Sequence, residues 1–409
     1  MSLFDKYAPL QARVDVMMKI GKDALGVQFD DIISTSRGRI GNRKILLAGT
    51  NNYLGLTFDE DCMGAAKDAV DNHGTGTTGS RIANGTYSEH IDLEKALADH
   101  LGMPSCIVFT TGYQTNLSAI SGLAGDKDVV FMDADAHACI IDGTRLTGAS
   151  TIRFRHNNPE DLDKRLRRQG EIEGGHALVV IEGLYSMFGD VAPIDEFVEV
   201  THNHGGYLFI DEAHSYGVFG PTGCGLAEEQ GVLDKVDFIS GTFSKSLASV
   251  GGFCASRHPE FEILRKVMRP YMFTASATPA NICAALAAVE KVKQGAELRA
   301  NLKARSEQLH KGLSEMQYDL CSEASPVIAV RRPNEAIAAM EWNALIDNGV
   351  YVNLAVPPGT PQSSSLLRIS LSAAHSEEDI NIILKAFNDL KDNQGALMAS
   401  MAAKMQAAE

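Results

Sequence analysis

Apolar residues follow three patterns along the chain, and each predicts a different element. Between residues 3 and 20, Leu10, Val14, Met17 and Met18 fall at helical spacing and predict an amphipathic helix. Residues 39–48 place polar and apolar positions on either side of Gly41-Asn42, the pattern of a hairpin. Further on, short uninterrupted apolar runs appear at 105–110, 128–133, 177–182, 206–210 and 252–255, with a shorter apolar stretch at 236–240. Runs of about 4–8 apolar residues separated by helical stretches predict buried strands of an open, mainly parallel α/β sheet. A long Ala-rich helix is expected from about Pro279.

From about residue 296 the pattern changes again. Charged helices alternate with short strands at 326–330, 350–352 and 366–370, with a helix over 336–348, which reads as a small α+β domain. The expected organisation is an N-terminal helix and hairpin arm over 1–50, a large domain over 51–295, a smaller one over 296–392 and a tail over 393–409. That tail is rich in Ala and Met and is expected to fray.

Composition narrows the function classes. With 409 residues the chain can bury a sizeable core. A net charge of −15 repels polynucleotides, so no nucleic-acid partner is expected. Seven cysteines are scattered without a CxxC pair or a His/Cys cluster, which argues for reduced thiols and against a structural metal. Residues 1–25 carry mixed charge without an apolar core of signal length, so the expected location is cytoplasmic. The amphipathic helix leaves peripheral contact with the inner membrane open.

The chemistry concentrates around Lys245, set in Gly241-Thr242-Phe243-Ser244-Lys245-Ser246. Small neighbours let a bulky group approach, and the hydroxyls of Thr242 and Ser244 offer donors to an anion. Taken alone, this is a solvated lysine in a Ser/Gly loop. Some thirty residues upstream, however, the apolar run at 206–210 delivers Asp211 and His214 at its carboxyl end, where open α/β sheets place ligands. Asp211 could otherwise cap a helix, and His214 could be a satisfied loop histidine. The run 105–110 likewise delivers Gly112 and Tyr113 into a helix start, where backbone N–H groups suit a phosphate. Lys245 then reads as a covalent anchor for an aldehyde that also carries an anionic group. Arg368 sits in an alternating strand, and a buried arginine needs an anion, for which its guanidinium fork suits a carboxylate.

These segments resemble the α-oxoamine synthases, pyridoxal 5'-phosphate (PLP) enzymes of fold type I, over about residues 51–376. Gly76-Thr77-Thr78-Gly79-Ser80-Arg81, Asn84-Gly85-Thr86-Tyr87, Phe154-Arg155-His156-Asn157 and Arg269-Pro270-Tyr271-Met272-Phe273-Thr274 are similar to the branch that uses L-serine. The resemblance implies an aminotransferase-like large PLP-binding domain, a smaller α+β domain and a homodimer. It implies that Lys245 anchors PLP, Asp211 keeps the ring nitrogen protonated, His214 and Ser186 lie near the phenolic oxygen, and Gly112 and Tyr113 cradle the phosphate. His137 would stack on the ring and contact the substrate carboxylate, and Asn52, Tyr53 and Arg368 would bind the amino acid. Thr274 would reach the partner subunit's cofactor phosphate.

The implied reaction is the decarboxylative condensation of L-serine with a long-chain acyl-CoA, or an acyl-acyl carrier protein, to 3-ketosphinganine. Sister enzymes using glycine or alanine share the same lysine, aspartate and histidines. One departure stands out: Val356 precedes Pro357-Pro358 where the serine-using branch has a mobile arginine, and valine cannot bind a carboxylate.

Overall fold

The computed structural model describes residues 2–24 and 26–406. They divide into two compact units, one of Asn51–Ser186 and Asp190–Ala300, the other of the residues up to Thr50, Met187–Gly189 and those from Asn301 onward.

In the larger unit the apolar runs become a seven-stranded sheet. Its strands are β1 (Ser105–Phe109), β2 (Val129–Asp133), β3 (Ser150–Phe154), β4 (Ala177–Glu182), β5 (Tyr207–Asp211), β6 (Phe238–Thr242) and β7 (Gly252–Ser256), in the spatial order β1-β7-β6-β5-β4-β2-β3. Strands β3, β2, β4, β5 and β6 pair in parallel, and β7 runs antiparallel between β6 and β1. Inner strands β2, β4, β6 and β7 are buried along their whole length, and β5 apart from Tyr207, as continuous apolar runs require when helices cover both faces. Edge strand β3 is largely exposed and carries Ser150, Thr151 and Arg153, polar residues that discourage pairing with another chain.

Ile107, Val130, Val180 and Phe209 join one core cluster with Ile120 and Ile140 from covering helices. Burying each such side chain contributes about 1.5–3 kcal/mol. The helix Gly112–Leu123 starts directly after β1 and is capped by Thr111, whose Oγ1 accepts the Gln114 N–H at 3.2 Å.

The other unit holds two small sheets. Arg37–Ile40 and Arg43–Leu47 form the hairpin expected from Gly41-Asn42, flanked by Asp31–Ser34 and by the parallel Val350–Tyr351. Val327–Arg332, Ser365–Ser370 and Asn353–Ala355 form an antiparallel sheet. Trp342, on the helix Glu335–Asp347, is buried and donates to the Val352 carbonyl at 2.8 Å. The N-terminal helix covers Ala8–Ile20. The tail departs from expectation: Gln394–Gln406 is helical and packs on the N-terminal helix, because Ala and Met are strong helix formers once an apolar neighbour is present. Among the described residues no helix is long and apolar enough to cross a membrane.

Candidate active site

At the carboxyl ends of β4, β5 and β6 the larger unit encloses a cavity of about 320 Å³. Lys245, Asp211, His214, His137, Gly112, Tyr113, Thr242 and Ser244 all line it, so eight positions singled out in sequence meet in one place. They come from four segments, those that end or follow β1, β2, β5 and β6.

Asp211 ends β5 and is buried. Asn116 Nδ2 donates to its Oδ2 at 2.6 Å and the Ala213 N–H to its Oδ1 at 2.9 Å, two donors that favour the carboxylate. The neighbouring Glu212 serves the scaffold instead, accepting the Leu226 and Ala227 N–H groups at 3.1 and 2.9 Å. His214 is buried, with Nδ1 2.7 Å from Tyr53 Oη.

His137 caps the helix Ala138–Leu146 with its ring: Nδ1 accepts the Cys139 N–H at 3.2 Å and lies 2.8 Å from Cys139 Sγ. A backbone N–H can only donate, so Nδ1 carries no proton and the ring proton sits on Nε2. Desolvation on the protein side lowers its pKa, with Asp211 opposing and Lys245 adding to the effect. His137 is therefore a neutral donor through Nε2. Its backbone N–H donates to Glu182 Oε1 at 2.6 Å. Tyr113 stands edge-on to the His137 ring at 6.3 Å, and its hydroxyl donates to Asp142, whose carboxylate raises the phenol to about 12.

The anion cradle is formed by close packing of backbone. A Cβ on Gly112 would lie 2.6 Å from both Cβ and Oγ1 of Thr242, and one on Gly252 would lie 2.8 Å from the Gly112 Cα. Only glycine lets the first turn of the helix approach β6 and β7 this closely. The helix N-terminus presents unpaired N–H groups and positive dipole there, next to the Thr242 and Ser244 hydroxyls, themselves 3.0 Å apart. A phosphate fits this donor set. Among the described residues the buried Asn116 Oδ1, on the cavity wall, has no hydrogen-bond partner, as expected of a site built to receive a polar group.

The other expected residues lie off the cavity wall. Asn52 is buried and donates through Nδ2 to Thr57 Oγ1 at 2.8 Å, with no partner on Oδ1 among the described residues. Tyr53 reaches the site through His214. Ser186 is half-buried after β4. Thr274 is also half-buried, with Gln114 Nε2 at 3.4 Å from its Oγ1. In the smaller unit Arg368 is buried on the strand Ser365–Ser370 and donates to Ser370 Oγ at 2.7 Å.

Sequence reasoning missed Asn116, Cys139 and Glu182, all on the wall. Glu182 carried a signal, since like Asp211 it closes an apolar run with a carboxylate. His156 lies in the Phe154-Arg155-His156-Asn157 motif, and the resemblance assigns it no role. It is clamped between Asp133 and Asp190, with Nδ1 and Nε2 each 2.9 Å from a carboxylate oxygen.

Comparison with known proteins points to one family. Residues 43–387 match the family Aminotransferase class I and II. The chain is 49% identical to a serine palmitoyltransferase of Caulobacter vibrioides over 95% of this chain and 96% of that one. Its fold superposes on a solved serine palmitoyltransferase of Sphingomonas wittichii with a TM-score of 0.93, at 46% identity over 97% of this chain and all of that one. The S. paucimobilis enzyme with bound PLP-myriocin aldimine superposes at 0.94, with 42% identity over the same shares. The chain thus belongs to the class I and II aminotransferase family, in the α-oxoamine synthase group of PLP enzymes that includes the bacterial serine palmitoyltransferases.

Proposed function

We propose that this protein catalyses the PLP-dependent decarboxylative condensation of L-serine with a long-chain acyl thioester to give 3-ketosphinganine. The observation that carries the reading is the meeting of Lys245, Asp211, His214 and His137 around one cavity with a glycine-built anion cradle. Its support is the match to serine palmitoyltransferases over nearly the whole chain.

When bound, PLP supplies a carbonyl carbon for covalent attachment and an electron sink for the carbanion at the substrate Cα. The first helical N–H groups at Gly112 and Tyr113, with Thr242 and Ser244, would hold its phosphate. Asp211, fixed by Asn116, would hold a proton on the ring nitrogen. His214, oriented by Tyr53, would bond the phenolic oxygen, a place the resemblance also gives to Ser186. Lys245 would anchor the cofactor, and its amine is the base placed to take the Cα proton of the bound amino acid. His137 donates from Nε2 to the serine carboxylate. Asn52 and Arg368 complete carboxylate binding, and with Val356 at the position of the mobile arginine, Arg368 is the guanidinium assigned to it.

Residues 51–295 form the PLP-binding domain in this reading, and the working protein is a homodimer in which Thr274 serves the partner's cofactor phosphate. Exposed Leu3, Phe4, Leu10 and Met18 on the N-terminal arm support a subunit contact.

The test is a cofactor-absorbance titration of the purified protein with L-serine, glycine and L-alanine, followed by product mass spectrometry with acyl-CoA and acyl-acyl carrier protein. Saturable response to serine and formation of 3-ketosphinganine with carbon dioxide are expected. A response to glycine or alanine alone moves the assignment to a sister synthase.

A further inference from the structure

Two neighbouring strands of the large sheet each end in a buried carboxylate. Glu182 closes β4, Asp211 closes β5, and the two are direct partners in the strand register. Adjacent strands lie about 4.8 Å apart, and both side chains line the same cavity. Their surroundings differ. Asp211 takes two donors, Asn116 Nδ2 and the Ala213 N–H, whereas Glu182, 3% exposed, takes one, the His137 N–H.

Two carboxylates that close adjacent strands and line one cavity repel when both are ionised, which favours a proton on one of them. The donor count selects Asp211 for the charge. The other groups around Glu182 are Asp133 on β2, Lys245 after β6, and Cys139 and Tyr185. Burial pushes the Glu182 carboxyl well above the usual carboxylate range; Asp211 and Asp133 add to this, against the His137 hydrogen bond and Lys245.

We propose that Glu182 is a positioning residue for the reaction, a neutral carboxyl that fixes the backbone at His137 and leaves Asp211 to carry the charge for the cofactor's ring nitrogen. Oε1, as the carbonyl oxygen of a neutral acid, accepts the His137 N–H and so sets where the His137 ring stands. The proposal rests on the PLP reading of the cavity.

Infrared difference spectra between the wild-type and Glu182→Gln apo-proteins at neutral pH test the protonation state independently of activity. A protonated-carboxyl C=O band present in the wild type and absent from the variant is expected; an ionised carboxylate band in its place overturns the proposal. Positioning is read in the holoenzyme. Glu182→Ala leaves the His137 N–H without an acceptor and should raise the amino-acid KM about tenfold, more than it lowers kcat. Glu182→Gln keeps a neutral acceptor and should return KM to within about threefold of wild type. An unchanged KM in Glu182→Ala, or a Glu182→Gln as impaired as Glu182→Ala, refutes the role. If the wild type turns over no acyl thioester, the functional reading fails. The infrared band and the amino-acid affinity seen in cofactor absorbance still decide the role of Glu182.

Discussion

Replacing His156 by Ala should destabilise the larger unit in a way that depends on pH. The imidazole bridges Asp133, fully buried, and Asp190, half-buried, and its own side chain is 17% exposed. Burial works against the imidazolium, but the hydrogen bonds and charges of the two aspartates outweigh it and raise the pKa from 6.5 to about 10. A folded-state pKa above the unfolded one means that the charged form favours folding. The stabilisation is complete below pH 6.5 and is lost as pH rises through about 10.

Carried through the linkage relation, this amounts to about 4 kcal/mol at pH 7 and under about 1 kcal/mol at pH 10. The cost of removing one partner of a buried ion pair, about 3–5 kcal/mol, is of the same size. Urea unfolding followed by far-UV circular dichroism, on wild type and His156→Ala at both pH values, measures the gap. Taking the difference cancels the lysines and tyrosines that titrate in the same range. A gap under about 1 kcal/mol at pH 7, or one that persists at pH 10, would refute the clamp.

Three further outcomes follow from the site. Gly112→Ala places a methyl 2.6 Å from Thr242; forcing the helix start away should cost about 1–3 kcal/mol and weaken PLP binding of the apo-protein about tenfold or more, measured by absorbance titration. Asn116→Ala removes the 2.6 Å bond to Asp211, and since hydrogen bonds to charged groups contribute about 1.5–3 kcal/mol, kcat should fall at least about tenfold with the fold intact by circular dichroism. Because the Cys139 N–H holds His137 Nδ1 as an acceptor, protonating the ring requires breaking that bond. The acid limb of kcat/KM for the amino acid should therefore have its midpoint below 6.5, and a midpoint above it would show that the ring takes up a proton more readily than the held Nδ1 allows.

Much of the fold was legible because its signals are local. The apolar runs at 177–182 and 252–255 became β4 and β7 within a residue, and Gly41-Asn42 formed the hairpin turn. Lys245, Asp211 and His214 could be read as a site from residue type and placement at strand ends. The tail was misjudged because Ala and Met report helix propensity but not whether an apolar neighbour exists to hold the helix.

What the sequence determined by itself was thus periodicity, strand ends and the chemical types delivered there. What only the tertiary structure decided was the strand order and the pairings that follow from it. The order β6-β5-β4-β2 sets Glu182 beside Asp211 and brings His137 to both. It also lets Asn116, 95 residues from Asp211, hold its carboxylate, and His156 bridge Asp133 and Asp190. Charge state in a buried site depends on distances between groups remote in the chain, and those distances exist only once the sheet has closed around them.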